Sequence, residues 1–264
     1  MPKVRAVERA VSILRAFDPK TPKLTLGEIA RRTGLDKATV NRLLGTLIGC
    51  NMVVQDPISR EYWLGLDVLS LGASVPGQHD LQQITDPVLR DISVKTGCLA
   101  FLATFSSTGA QCLARSVINP PVQVQLWNVG ETRPYNQGAG PKLLFAHLPH
   151  DRQAAYLTQE LPAATSQTIT DKEVLMRTVA ELRGRDAAFS RDDIIEGLSA
   201  LAHAVRSPQD EVIAVISIVG LTPLFSEAGR KEMGTILAQG ASELSRHLAT
   251  TGLITLGAEA IDTR

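Results

Sequence analysis

The sequence predicts an α+β protein in two parts: an N-terminal winged helix-turn-helix, then a larger domain of mainly antiparallel sheet with flanking helices. Three observations lead there. Residues 24–47, "LTLGEIARRTGLDKATVNRLLGTL", hold two short helical patterns joined by a Thr-Gly-Leu turn. A strand–turn–strand pattern, "MVVQDPISREYWLG", follows at once. Beyond residue 80, apolar runs of strand length mix with amphipathic helical segments.

The first helix is expected over 3–17, with Val4, Val7, Val11, Leu14 and Phe17 on one buried stripe that Ala10 and Ile13 widen. "DPKTPK" ends it with two prolines. The second helix opens at Thr25 with Glu28 three residues on, a capping box, and leaves through Gly34, which tolerates a left-handed backbone. Asp36 caps the third helix. In it Val40, Leu43, Leu44 and Leu47 face the core, while Ala38, Arg42 and Gly45 point away, with Asn41 and Thr46 beside them. Small residues on that outer face admit a close neighbour. Arg and Asn are suited to guanine and adenine edges in a major groove. The hairpin, turning at Asp56–Arg60, supplies the wing.

Charge supports this reading. The 264 residues carry no net charge, yet residues 1–66 hold 11 Lys/Arg against 6 Asp/Glu, and the remainder holds 16 against 21. A basic front on an acidic body points the front at a polyanion. Winged helices also serve as protein–protein modules, and that alternative stays open here. The residues assigned to DNA contact are Thr25, Lys37, Ala38, Thr39, Asn41, Arg42, Thr46 and Arg60. Of these, Arg42 and Asn41 are expected to read bases, and Lys37, Thr39 and Arg60 to hold phosphates.

Residues 66–79 begin as a linker helix (Leu66, Leu69, Leu71) and end in Pro-Gly. A long helix over 81–96 turns Leu81, Ile84, Val88, Leu89 and Ile92 inward, with a kink or break at Pro87. Two strands surround Ser107-Thr108-Gly109, and a third carries Val122, Val124 and Leu126. Helices are expected at about 139–148, 151–158 and 171–184, strands at 187–190, 198–206 and 211–220, and a last helix over 226–249. The domains read 1–65, 66–79 as linker, 80–250, and a poorly ordered tail at 251–264.

No apolar run approaches the roughly 20 residues that span a bilayer, and the N-terminus lacks the apolar core of a secretory signal. Three cysteines, Cys50, Cys98 and Cys112, form no C-x-x-C pair, which favours a reducing cytoplasm and free thiols. No nucleophile elbow, Walker loop, zinc-protease motif or dinucleotide fingerprint is present. Neither a cofactor nor a resident metal is expected. "QGAGPK" (137–142) opens a helix whose N–H groups suit an anion; on spacing alone an ordinary helix start is the better account.

In order and spacing, "RAVERAVSILRAF", the helix-turn-helix, "YWLGLDVLSLGA", "GAGPKLLFAHLP", "EGLSALAHAV" and "VIAVISIVG" resemble the IclR family of bacterial transcription regulators over nearly the whole chain. The resemblance implies a winged-helix domain, a linker helix and a GAF-like effector-binding domain. It also implies a homodimer or dimer of dimers on a palindromic DNA operator, acting as repressor or activator under a small carboxylic or aromatic effector. Carried over by position, the effector pocket is Gly138, Ala139, Gly140, Asp193, His203, Ser217 and Val219. There are departures from the pattern. Ala38 replaces the usual Ser, Asn41 a frequent His, and Pro141 a Gly before Lys142. Asp193 stands where Glu is more common, and "AHAV" puts His203 in place of a small residue. An imidazole–carboxylate pair at His203 and Asp193 would fix a ligand hydroxyl or carboxylate. A core histidine bonded to a carbonyl is the plain alternative. An enzyme built on Asp193, His203 and Ser217 would need a nucleophile–base spacing that the sequence lacks.

Overall fold

The structure, a computed structural model, describes residues 4–18, 21–74, 78–116 and 126–250, with backbone alone at 78–80 and 249–250. The chain divides into two compact units, Met1–Gln78 and His79–Arg264.

The first unit is a winged helix-turn-helix: α1 (Arg5–Leu14), α2 (Leu26–Thr33), α3 (Lys37–Gly49), β1 (Val53–Gln55), β2 (Tyr62–Leu64) and α4 (Leu66–Ala73). The capping box forms as its spacing dictates. The Thr25 hydroxyl accepts the Glu28 N–H, and the Glu28 carboxylate accepts the Thr25 N–H at 2.8 Å. Gly34 leaves α2 with φ 67°, and Asp36 caps α3 by accepting the Thr39 N–H at 2.8 Å. β1 and β2 pair antiparallel, Val53 opposite Leu64, and Leu24 bridges to Tyr62 through two backbone hydrogen bonds. The core joins Ile13, Phe17, Leu24, Ile29, Val40, Leu44, Leu47, Val53 and Tyr62.

The stripe expected on the first helix is corrected. The core takes Ile13 and Phe17, with Ala10 and Leu14 packed against it, because only the C-terminal half of α1 reaches α2 and α3. Val4, Val7 and Val11 lie on the surface, 63%, 60% and 38% exposed. Leu66, Leu69 and Leu71 of α4 are likewise exposed.

The second unit begins with α5 (Gln78–Thr96), which is continuous through Pro87, so the expected break is absent. Then come β3 (Leu99–Ser106), β4 (Gly109–Arg115), β5 (Thr132–Arg133), α6 (Ala139–His147), α7 (His150–Tyr156), α8 (Lys172–Leu182), β6 (Ala187–Arg191), β7 (Leu198–Arg206), β8 (Val212–Leu221), a 3₁₀ turn (Thr222–Phe225) and α9 (Glu227–Thr250). The six strands form one antiparallel sheet in the order β5-β4-β3-β8-β7-β6. The strand expected around Val122 and Val124, and the tail at 251–264, lie outside the described residues. Leu126 is described and is not in a strand; among the described residues the short β5 forms that edge of the sheet.

Two apolar layers follow from period-two alternation in the central strands. Ala200, Ala202 and Ala204 of β7 and Val215 of β8 pack against α6, α7 and α8. Leu201 and Val205 of β7, and Ala214, Ile216 and Ile218 of β8, pack against α5 and α9. A residue's parity along β7 or β8 therefore decides which layer it meets. Among the described residues no helix is long and apolar enough to cross a membrane.

Candidate functional site

The outer surface of α3 is the first candidate. Lys37, Ala38, Asn41, Arg42, Gly45 and Thr46 are exposed, opposite the buried Val40, Leu44 and Leu47. A Cβ built on Gly45 would meet nothing within 4 Å, so the helix backbone is open to a close neighbour there. Thr39 is half-buried, and its hydroxyl donates to Asp36 at 2.8 Å. The Thr25 hydroxyl donates to Glu28 at 2.8 Å. Both hydroxyls thus serve the helix caps in the free protein. At the wing, Arg60 is exposed with φ 60°, and Lys23 sits over the Trp63 ring at 5.2 Å. Sequence reading passed over Lys23, because nothing local announces a cation held by an indole 40 residues away. Arg32, by contrast, is bound to Asp18 at 2.8 Å, the Ala16 carbonyl and Thr21, and ties α2 to the segment that follows α1.

The second candidate is a cavity between the sheet and the start of α6. Its volume is about 20 Å³. That is room for about one water. Gly138, Ala139, Gly140, Ser217 and Val219 of the expected pocket line it. They meet because β8 presents Ser217 and Val219 to the α6 layer, beside Ala202 and Ala200 of β7. Gly138 has φ 89°, a left-handed backbone that favours glycine, and a Cβ there would come within 2.7 Å of Ile194 Cδ1, the movable end of that side chain. Pro141 falls in the first turn of α6, where a missing N–H costs nothing.

Asp193 and His203 are placed elsewhere. The Asp193 carboxylate is buried and engaged: Lys142 Nζ lies 2.6 Å from Oδ2, and the same oxygen accepts the Gly138 N–H at 2.9 Å. It shapes the α6 start and is not among the residues lining the cavity. His203 has the wrong parity. It pairs with Ile216, on the α5–α9 side of the sheet, and its Nδ1 lies 3.0 Å from the Ala204 carbonyl. The expected imidazole–carboxylate pair is therefore corrected: the sheet separates the two side chains. Among the described residues no group of His, Cys, Asp or Glu is arranged to hold a metal ion.

The structure adds groups that sequence reading missed. Phe101, Trp127, Ile194 and Arg133 line the cavity. Phe101 and Trp127 have ring centroids 6.0 Å apart. The Arg133 guanidinium sits 5.2 Å from the Trp127 ring and donates to the Leu126 carbonyl. Its buried Nε has no hydrogen-bond partner. Burial lowers the Arg133 pKa, with Asp193 and then Glu131 opposing that shift. Arg133 stands in a two-residue strand with no motif around it, so its position becomes visible only when β5 pairs with β4.

Residues 73–246 match the family described as "Bacterial transcriptional regulator IclR C-terminal", and residues 6–57 match "IclR helix-turn-helix domain". The chain is 27% identical to the transcriptional regulator XynR of Escherichia coli over 249 residues, covering 94% of this chain and 98% of that protein. It is 26% identical to the glycerol operon regulatory protein of Streptomyces griseus, over 93% of this chain and 96% of the relative. An IclR regulator from Alicyclobacillus acidocaldarius shares the fold at TM-score 0.75 and 26% identity, covering 93% of this chain and 99% of that one. An IclR homologue from Microbacterium hydrocarbonoxydans, solved with 4-hydroxybenzoate, superposes at TM-score 0.75 and 22% identity, over 92% of this chain and 98% of the other. Its relatives are regulators and not enzymes, and both halves match in order: the chain belongs to the IclR family of bacterial transcription regulators.

Proposed function

We propose that the protein is a cytoplasmic, homodimeric regulator whose binding to a palindromic operator is controlled by a small organic carboxylate, an aromatic acid foremost, held in the α6 cavity, which widens from its ligand-free volume to admit it. One observation carries the choice of effector: Arg133 lines the cavity with a buried, unpartnered Nε. A buried guanidinium donor without an acceptor is costly unless an anion completes it. Phe101 and Trp127 give the same cavity aromatic walls, and Ala139 and Gly140 add first-turn N–H groups that the helix leaves free. The 4-hydroxybenzoate complex of the Microbacterium relative makes benzoates the first ligands to try. The effector contacts are then Gly138, Ala139, Gly140, Ser217 and Val219, with Arg133 added and His203 removed. Asp193 acts through Gly138 and Lys142.

On the DNA side, Arg42 and Asn41 read base edges, and Lys37, Arg60 and Lys23 hold phosphates. Ala38 and Gly45 let the helix sit deep, and Thr25, Thr39 and Thr46 lie at its margins. Dimerisation is supported by the apolar faces left open on the first unit: Val7 and Val11 on α1 with Val4 just before it, and Leu66, Leu69 and Leu71 on α4. An effector acts only by binding two dimer arrangements unequally. One arrangement spaces the two α3 helices about one DNA turn apart, about 34–36 Å, or a multiple of it.

Calorimetric titration of the full chain with benzoate, 4-hydroxybenzoate and acetate tests the reading. Wild type is expected to bind a benzoate, and Arg133→Ala to bind it about 10- to 100-fold more weakly, the loss of one charge-assisted contact. Equal affinities in the two proteins would rule out a carboxylate at Arg133.

A further inference from the structure

Ile58 is 93% exposed, more than any other large apolar side chain among the described residues. It stands at the apex of the β1–β2 hairpin, next to exposed Pro57. This apex is built firmly. Asp56 Oδ1 accepts the Ile58 N–H at 2.7 Å and the Ser59 N–H at 3.0 Å, and the Arg60 N–H donates to the Asp56 carbonyl at 3.0 Å. The hairpin base is fixed to the recognition helix: Val53 and Tyr62 share the core of Val40 and Leu44, and the Met52 N–H donates to the Leu47 carbonyl at 2.9 Å. One rigid body therefore carries both α3 and the apolar tip.

The apex residues themselves offer no charge to a phosphate: Pro57 and Ile58 are apolar, and the phosphate-holding Arg60 stands two residues further on. Asp56 and Glu61 flank Arg60, so residues 56–61 carry no net positive charge. The two backbone hydrogen bonds keep the Asp56 carboxyl ionised by lowering its pKa. Two apolar residues held out by a preorganised turn gain nothing from a polyanion's surface. They gain from its interior, the stacked base faces, once a base step opens.

We propose that Pro57–Ile58 is an apolar wedge that enters the minor groove beside the α3 contact, opens one base step and bends the operator. The step it enters is then chosen by deformability and not by hydrogen bonds, with pyrimidine–purine steps preferred. The inference rests on DNA binding by the first unit.

The test uses full-length protein and duplexes that wild type selects from a random-sequence pool. Bending is read by end-to-end energy transfer, and unstacking by 2-aminopurine placed at successive steps. Ile58→Ser, at a fully solvated position, is expected to lose half or more of the bend and the 2-aminopurine signal. A nick at the opened step should restore its binding. Ile58→Leu is expected to retain both signals, and Arg60→Ala to retain the bend while binding less tightly. An unbent wild-type complex, or an Ile58→Ser complex bent like wild type, overturns the wedge. An Ile58→Ser protein that bends DNA normally but changes its sedimentation makes the tip a protein contact, which also overturns it. Should wild type enrich no sequence from the pool, the DNA-binding reading fails first and takes the wedge with it.

Discussion

Lys142 and Asp193 form a buried ion pair, Nζ to Oδ2 2.6 Å, and the same carboxylate oxygen holds the Gly138 N–H at 2.9 Å. The pair thus ties the first turn of α6 to the loop before β7. The carboxylate that the sequence offers as a ligand contact is already engaged in shaping the cavity.

Breaking that pair from one side strands a charge. Asp193→Ala leaves a buried ammonium and an orphaned Gly138 N–H, and should cost about 3–5 kcal/mol of stability. Lys142→Met combined with Asp193→Ala removes both charges and should recover a large part of that loss, read as urea midpoints by circular dichroism. A double variant no more stable than Asp193→Ala alone would show that the pair is not what holds this corner.

Sheet parity predicts the effect of two nearby substitutions on effector binding. Ala200 lines the cavity, whereas His203 lies on the other face. Ala200→Leu should abolish benzoate binding by filling the small space, while His203→Ala should leave the dissociation constant within about twofold. Loss of binding in His203→Ala, measured calorimetrically on folded protein, would contradict this assignment of faces.

The three thiols should separate by burial. Cys50 is exposed, and Cys98 and Cys112 are buried. Burial pushes the Cys98 thiol up to about 11 and the Cys112 thiol up to about 12. At pH 8 an aromatic disulfide reagent should therefore titrate one thiol in the native protein and all three after unfolding. Rapid native labelling of two or three would contradict the packing of β3 and β4.

His147 gives a pH dependence with a definite sign. Desolvation lowers its pKa below the ordinary 6.5, an effect that its bond to the Arg185 carbonyl opposes. The unfolded chain then takes the proton first as pH falls. The stability contributed by the neutral form is present above about 6.5 and is lost as pH drops through the lower folded value. His147→Gln should flatten that part of the stability profile in urea titrations between pH 8 and 5. An unchanged slope would remove His147 from the acid response.

The helix boundaries of the first unit's helix-turn-helix are legible because their signals are local. The Thr25–Glu28 box, the Gly34 exit and the Asp36 cap each lie within one turn of what they control. The apolar runs of β3, β7 and β8 were legible for the same reason. Val4, Val7 and Val11 are misread because an apolar stripe does not say how far along the helix its neighbours reach, and only the C-terminal half of α1 joins the core. Asp193 and His203 were misjudged for another reason. Position along a chain names a neighbourhood, but pairing register and charge partners decide which side chain enters it. Arg133 was silent because a two-residue strand has no period to read.

The central claim is that α3 reads the operator and Arg133 receives the effector, so substitution separates the two functions. The direct measurement is fluorescence anisotropy on one selected duplex, with and without saturating 4-hydroxybenzoate, for wild type, Arg42→Ala and Arg133→Ala. Arg42→Ala should lose about 1–3 kcal/mol of specific binding whether or not ligand is present. Arg133→Ala should bind the duplex like wild type without ligand and show no change when ligand is added, where wild type shifts. An Arg133→Ala protein that responds to the ligand like wild type, or an Arg42→Ala protein that keeps full operator discrimination, would contradict the account.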